Sequence, residues 1–174
     1  ARELIVPPYG DPEFEAALFE ILVAHRIALV MPVGTASFAR LVPIGDRIRQ
    51  FASIVAVDPE RLRMCFSKQR TYEFAKALGV PTPRSYYPQD LAELVALAHK
   101  VPYPCVLKSL YELGPSVVDY AQSPDELIRK YERMCDAHRF TADTGLPLIQ
   151  EYVPGVGCGF FAVYDNGVCG PTFQ

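Results

Sequence analysis

Three stretches carry residue types at spacings that could do chemistry. Lys108 closes the apolar run Tyr103-Pro-Cys-Val-Leu-Lys108. A buried strand would deliver its ammonium into a cleft, and a compact charge on a flexible stem suits phosphate oxygens. Taken alone, a strand-end lysine is more often a solvated surface charge. Between Lys108 and Val117 runs a connection that could wrap an anion. Backbone N–H groups approach a phosphate where glycines clear the way, and Gly114, in Tyr111-Glu-Leu-Gly-Pro115, is the sole glycine there. An ordinary connection between two strands explains that segment equally well. The third stretch, Ile149-Gln-Glu-Tyr-Val-Pro-Gly155, reads as a strand that turns into a linker. Such an end exposes a backbone donor and a backbone acceptor, which a heterocycle such as adenine can use, with Val106 and Val153 as apolar walls; by pattern alone an ordinary strand end is the commoner reading.

Other reactive types are set aside. His25, His99 and His138 sit on or beside expected helices and read as structural or solvent-facing, so no general base is named. Five cysteines, at 65, 105, 135, 158 and 169, are odd in number and widely spaced. No CxxC pair occurs, which argues against zinc. They read as small buried hydrophobes in a reducing cytosol.

The composition supports a folded globular chain. Of 174 residues, 50% are hydrophobic and 21% charged, with a net charge of −3. That is enough apolar material for a core. The absence of a long Lys/Arg run argues against nucleic acid as a partner. The longest early apolar stretch, 27–33, is too short to span a bilayer, and no signal peptide is recognisable. One domain, or two small ones sharing a seam, fits this length.

The elements that must hold the candidate residues follow from pattern. In the first third, Glu3–Val6, Ile27–Val33 and Phe51–Val57 read as strands. Asp11-Pro12 reads as a helix start, and a second helix takes in Ser37–Leu41. This β-α-β-α-β order implies an open parallel sheet with right-handed crossovers, and it begins mid-pattern. Residues 67–78 read as a helix closed by Gly79, and Val80-Pro-Thr-Pro83 as a rigid extended connector. A helix over 89–100, strands over 103–108 and 116–120, and a helix from Ser123 to about His138 come next. Ser123-Pro-Asp-Glu126 supplies a cap, a first-turn proline and a capping box. The last part reads as β: a strand over 146–153, then a hairpin joining 160–164 to 168–173 through Asn166-Gly167. A sheet ending at Gln174 would keep an open edge, so the sequence reads as part of a longer chain.

Five pieces in order are more specific than any one of them. They are Ser67-Lys68, Gly79-Val-Pro-Thr-Pro83, Tyr103-Pro-Cys-Val-Leu-Lys108, Ser123-Pro-Asp-Glu-Leu127 and Ile149-Gln-Glu-Tyr-Val-Pro-Gly155. Their order and spacing resemble the ATP-grasp superfamily over 67–174. The ending Gly155–Gly167 is most similar to the carbamoyl-phosphate-synthase-like, or carboxylate–amine ligase, branch. The resemblance implies an α/β chain: residues 1–66 as a partial Rossmann-like parallel domain, and 67–174 as the first part of an ATP-grasp nucleotide-binding domain. It implies ATP as ligand, with Lys68 and Lys108 on its phosphates and the loop around Gly114 closing over them. Gln150 would face the adenine amino group, while Glu151 and Val153 give backbone contacts. Mg²⁺ is implied as well, with its ligands expected outside this chain.

The implied reaction is ADP-forming ligation in the cytoplasm: a carboxylate becomes an acyl phosphate, and an amine or similar nucleophile displaces phosphate. The partners are ATP and small-molecule carboxylates and amines, without nucleic acid or membrane, and self-association stays open. Three positions depart from the superfamily pattern. The loop is poor in glycine, Ser109 follows Lys108 where proline is common, and Gly157 stands where relatives place a ribose-binding glutamate. Two alternatives therefore remain on sequence grounds: a non-catalytic nucleotide-binding or regulatory module, and a doubly wound sensor with no nucleotide role.

Overall fold

The computed structural model describes residues 3–112 and 117–174. Gly114 and Ser116 therefore lie outside the described residues, and so does the expected phosphate loop at its tip.

The first part is a small parallel α/β unit. α1 (Phe14–Ala24) follows a turn in which Asp11 Oδ1 accepts the Glu13 N–H at 2.8 Å. β1 (Leu29–Val30) pairs in parallel with β2 (Ser53–Ile54). Between them come α2 (Thr35–Leu41), a 3₁₀ turn over Val42–Ile44, and α3 (Gly45–Ile48). Phe14, Leu22, Leu41, Ile44, Ile48 and Ala52 form its core. Glu15 on α1 pairs with both Arg40 and Arg47, and the Arg47 guanidinium lies 4.7 Å from the Phe19 ring centre.

The expected strands need correction here. Glu3–Val6 is not a strand: Ile5 is 88% exposed and no backbone partner lies beside it. The other two strands shrink to two residues each. Pro32 has no N–H to extend β1, and no third strand flanks the pair among the described residues. Asp58-Pro59, directly after the expected strand Phe51–Val57, opens α4 (Pro59–Phe66). The Asp58 carboxylate accepts the Glu60 and Arg61 N–H groups at 2.9 and 3.3 Å.

The second part is a four-stranded antiparallel sheet backed by two helices. α5 (Lys68–Ala77) is capped by Ser67 and ends at Gly79, whose φ of +73° is the left-handed close expected of a C-terminal glycine. The sheet order is β3 (Ser85–Tyr86), β6 (Leu148–Glu151), β4 (Cys105–Lys108), β5 (Val118–Ala121). α6 (Leu91–Ala98) and α7 (Pro124–His138) cover one face. Side chains alternate across a strand, so Cys105, Leu107, Ala121 and Ile149 point at the helices. There they join Leu94, Leu127, Tyr131 and Met134 in a second core, separate from the first. The Tyr131 hydroxyl donates to the Pro147 carbonyl at 2.8 Å, which satisfies both groups inside that core.

The Ser123 cap forms as its sequence promised, accepting the Glu126 N–H at 3.3 Å. Glu126 reaches back one residue further than a standard capping box, to the Gln122 N–H at 2.8 Å.

β7 (Phe161–Asp165) and β8 (Val168–Phe173) form the expected hairpin around Asn166-Gly167, both at positive φ. These strands pair only with each other among the described residues, and Phe161, Val163, Val168 and Phe173 are all more than 60% exposed. No helix among the described residues is long and apolar enough to cross a membrane.

Candidate nucleotide site

The candidate residues share the sheet face that α6 and α7 leave uncovered. Val106 pairs with Gln150 across β4 and β6, Lys108 with Leu148, and Ser85 with Gln150 across β3 and β6. Strand alternation therefore sets Ser85, Gln150, Val106 and Lys108 side by side on one surface.

Lys108 Nζ donates to Gln150 Oε1 at 2.9 Å. Gln150 Nε2 donates to Ser85 Oγ at 2.9 Å, and Ser85 Oγ donates to the Pro83 carbonyl at 3.1 Å. Gln150 is only 3% exposed, so its amide is held by these two contacts. Glu151 lies on the opposite face and turns to Arg84. Its carboxylate accepts the Arg84 backbone N–H at 2.9 Å and the guanidinium at 2.8 Å. Those bonds hold the Glu151 carboxyl below its ordinary range.

Beyond Glu151 the strand loses its partners. The Tyr152 N–H still reaches the Pro104 carbonyl at 3.3 Å. Val153 is 61% exposed, and among the described residues nothing accepts its N–H. The expected linker with a free donor therefore exists at this point in the chain.

Lys68 reaches the same corner by a different route. Residues 66–68 run antiparallel to 110–112. The Lys68 N–H donates to the Leu110 carbonyl at 3.0 Å, the Glu112 N–H to the Phe66 carbonyl at 2.9 Å, and Ser67 bridges Tyr111. This clip fastens the start of α5 to the segment that leaves β4, only two residues past Lys108. Gly145, at φ +92°, lets the Tyr111 ring approach its backbone closely: a Cβ there would sit 2.4 Å from a ring carbon.

The Lys68 ammonium is shut off from solvent and faces Glu112 Oε1 at 2.7 Å, off the line of a hydrogen bond. No acidic residue occupies the first turn of α5. A cation at a helix N-terminus opposes the helix dipole, and the Glu112 carboxylate offsets that cost. With the N-terminal amides of α5 it makes a corner that favours an anion.

Sequence reasoning missed three residues: Ser85, Arg84 and Glu112. Ser85 and Arg84 follow the Pro-Thr-Pro connector, and nothing in their local pattern distinguishes them. Glu112 stood in the expected loop, but its contact with Lys68 joins residues far apart in the chain.

No cluster of three His, Cys, Asp or Glu side chains occurs among the described residues. Among the described residues, then, no set of side chains fits a magnesium site. All five cysteines are free. Cys105 is buried as expected and Cys135 partly so, but Cys65, Cys158 and Cys169 are exposed, which corrects the reading of all five as core residues. Cys169 fails because β8 has no covering layer. The three histidines are all exposed. A groove of about 550 Å³ between α5 and residues 79–87 is lined by Ser85 and Lys76 but by neither Lys68 nor Lys108.

Comparison with known proteins bears on the fold that carries these residues. No protein-family model matches the sequence. Over 79 residues the chain is 33% identical to the formate-dependent phosphoribosylglycinamide formyltransferase of Bacteroides fragilis, a match covering 45% of this chain and 20% of that enzyme. Its structure resembles the biotin carboxylase domain of Hydrogenobacter thermophilus 2-oxoglutarate carboxylase, a dimer solved with MgADP, ADP and bicarbonate. The TM-score is 0.66 at 18% identity, over 86% of this chain and 34% of that one. It also resembles N5-carboxyaminoimidazole ribonucleotide synthetase of Thermus thermophilus, with a TM-score of 0.55 at 20% identity, over 87% and 36%. These are ATP-grasp carboxylate–amine ligases. The chain has the ATP-grasp fold in part, spanning about a fifth of the curated relative and about a third of each solved structure.

Proposed function

We propose that this chain supplies the adenine-nucleotide-binding part of an ATP-dependent ligase. The enzyme activates a carboxylate as an acyl phosphate, and an amine or similar nucleophile then attacks it. One observation carries the proposal: Lys108 and Gln150 touch on the sheet face opposite the helices, beside a strand end with a free N–H.

In this reading Lys108 and Lys68 neutralise the polyphosphate. Gln150 meets the adenine amino group, and Val106 and Val153 bracket the ring. The backbone of Glu151 and Val153 holds the purine edge, and the loop around Gly114 covers the phosphates. A carboxylate oxygen attacks the γ-phosphorus, the bond to the β-phosphate oxygen breaks, and ADP leaves. The nucleophile then adds to the acyl carbon and phosphate departs. The contribution of this chain is positioning and charge neutralisation. The division at 66/67 belongs to the same proposal and is supported by the two separate cores. A cytoplasmic location is supported by five free thiols. The carboxylate and amine are small molecules bound outside the described face.

The test is thermal denaturation with Mg-ATP. Ligand binding to the native state raises the melting temperature, so millimolar Mg-ATP should shift the wild type and leave Lys108→Met nearly unmoved. Equal shifts in both proteins, or none in either, reject the proposal.

A second reading, a non-catalytic nucleotide-binding module, is favoured by Glu112. A carboxylate at the base of a phosphate loop repels phosphate. Mg-ATP binding without ADP release, across a panel of small carboxylates with ammonia, would select it.

A further inference from the structure

Ser85 lies on no motif and makes no contact with either lysine of the site, yet it terminates a hydrogen-bond chain whose direction is fixed at both ends. The Pro83 carbonyl can only accept, so the Ser85 hydroxyl must donate to it. The Ser85 oxygen is then left to accept, and Gln150 must present its NH₂ group to it. At the far end the Lys108 ammonium can only donate, so Gln150 must present its carbonyl oxygen there. Gln150 is 3% exposed, so these contacts lie inside the protein.

We infer that Ser85 is a positioning residue for base selection: it locks the Gln150 amide so that a carbonyl acceptor faces the nucleotide. This rests on the reading that Gln150 meets the purine. An acceptor there suits the 6-amino group of adenine, which donates, and opposes the 6-keto group of guanine, which accepts. Lys108 cannot hold the amide alone. Once a nucleotide enters, its ammonium is drawn to the ligand, and Ser85 is the anchor that stays. Without that anchor the amide can turn, offer its NH₂ to a keto oxygen and accept guanine. A donor–acceptor mismatch in a buried site is worth about one lost hydrogen bond or more, so the lock should set a preference of roughly tenfold.

The experiment is calorimetric or fluorescence titration of the protein with Mg-ATP and Mg-GTP, for wild type, Ser85→Ala and Ser85→Thr. The readout is the ratio of the two dissociation constants. Wild type should prefer ATP. Ser85→Ala should lose roughly tenfold of that preference. Ser85→Thr, which keeps the hydroxyl, should retain it. A purely structural role for Ser85 would weaken both nucleotides by the same factor and leave the ratio unchanged. Such an unchanged ratio overturns the inference while the nucleotide site itself stands. A wild type that binds ATP and GTP equally also overturns it. If the wild type binds neither, the nucleotide reading falls and this inference falls with it.

Discussion

Gly145→Ala is expected to destabilise the protein through one identifiable clash. The glycine sits at φ +92°, where an L side chain is strained by about 1–2 kcal/mol. Its new Cβ would lie 2.4 and 2.8 Å from two carbons of the Tyr111 ring, too close for any real contact. The ring is 42% exposed, so it can swing toward solvent, giving up about 1 kcal/mol of apolar packing. The sum is about 2–3 kcal/mol, which for a chain of this length lowers the melting temperature by roughly 4–12 °C. A double-mutant cycle with Tyr111→Ala separates the two parts. With the ring gone, the second part of the cost disappears and the backbone part remains, so the coupling should be about 1 kcal/mol. Denaturant titration of the four proteins measures it. If Gly145→Ala costs nothing, or costs the same with and without the ring, the packing described for Tyr111 is wrong, and with it the clip that ties residues 110–112 to Lys68.

Two further outcomes follow from the same geometry. Glu112→Gln should tighten Mg-ATP binding several-fold, because the carboxylate 2.7 Å from Lys68 competes with phosphate for that ammonium; equal or weaker binding by calorimetry would refute the competition. Thiol labelling at about pH 8 should proceed quickly at Cys65, Cys158 and Cys169 and slowly at Cys105 and Cys135, whose thiols burial pushes up to about 11. Because both folded values lie above the ordinary thiol value, the stability these groups contribute is intact below about 9. It is lost between there and about 11 as the unfolded chain ionises first. Rapid labelling of Cys105 in the native state would contradict the second core.

What was legible in the sequence was mostly what is local. Ser67 and Ser123 announced their helices because a cap works within three residues. Asn166-Gly167 announced its hairpin because positive φ is a property of those two residue types. The order of β4, α7 and β6 could be read because apolar runs and caps alternate cleanly there. Partnership between distant residues could not. Glu3–Val6 has the composition of a strand but no neighbour to pair with, and pairing is what makes a strand. Asp58-Pro59 carries a helix-start signal that equally ends a strand, and only the chain after it decides. Cys169 sits in an apolar run yet lies exposed, because burial depends on a covering layer that its own sequence does not encode. At the site, Lys108 and Gln150 were named singly, but their contact spans 42 positions. Ser85 acquires meaning only through strand register, which places it opposite Gln150. The resemblance to a family assigned Lys108 and Gln150 to different parts of one ligand, and the contact between them appears only in the fold.

The most direct measurement is a structure of the protein with a non-hydrolysable ATP analogue and Mg²⁺. The account predicts the adenine amino group at Gln150 Oε1, the ring edge at the Val153 N–H, and the phosphates between the Lys68 and Lys108 ammoniums. An analogue seated instead in the groove beside Tyr72 and Tyr87, or with neither lysine at its phosphates, would contradict it.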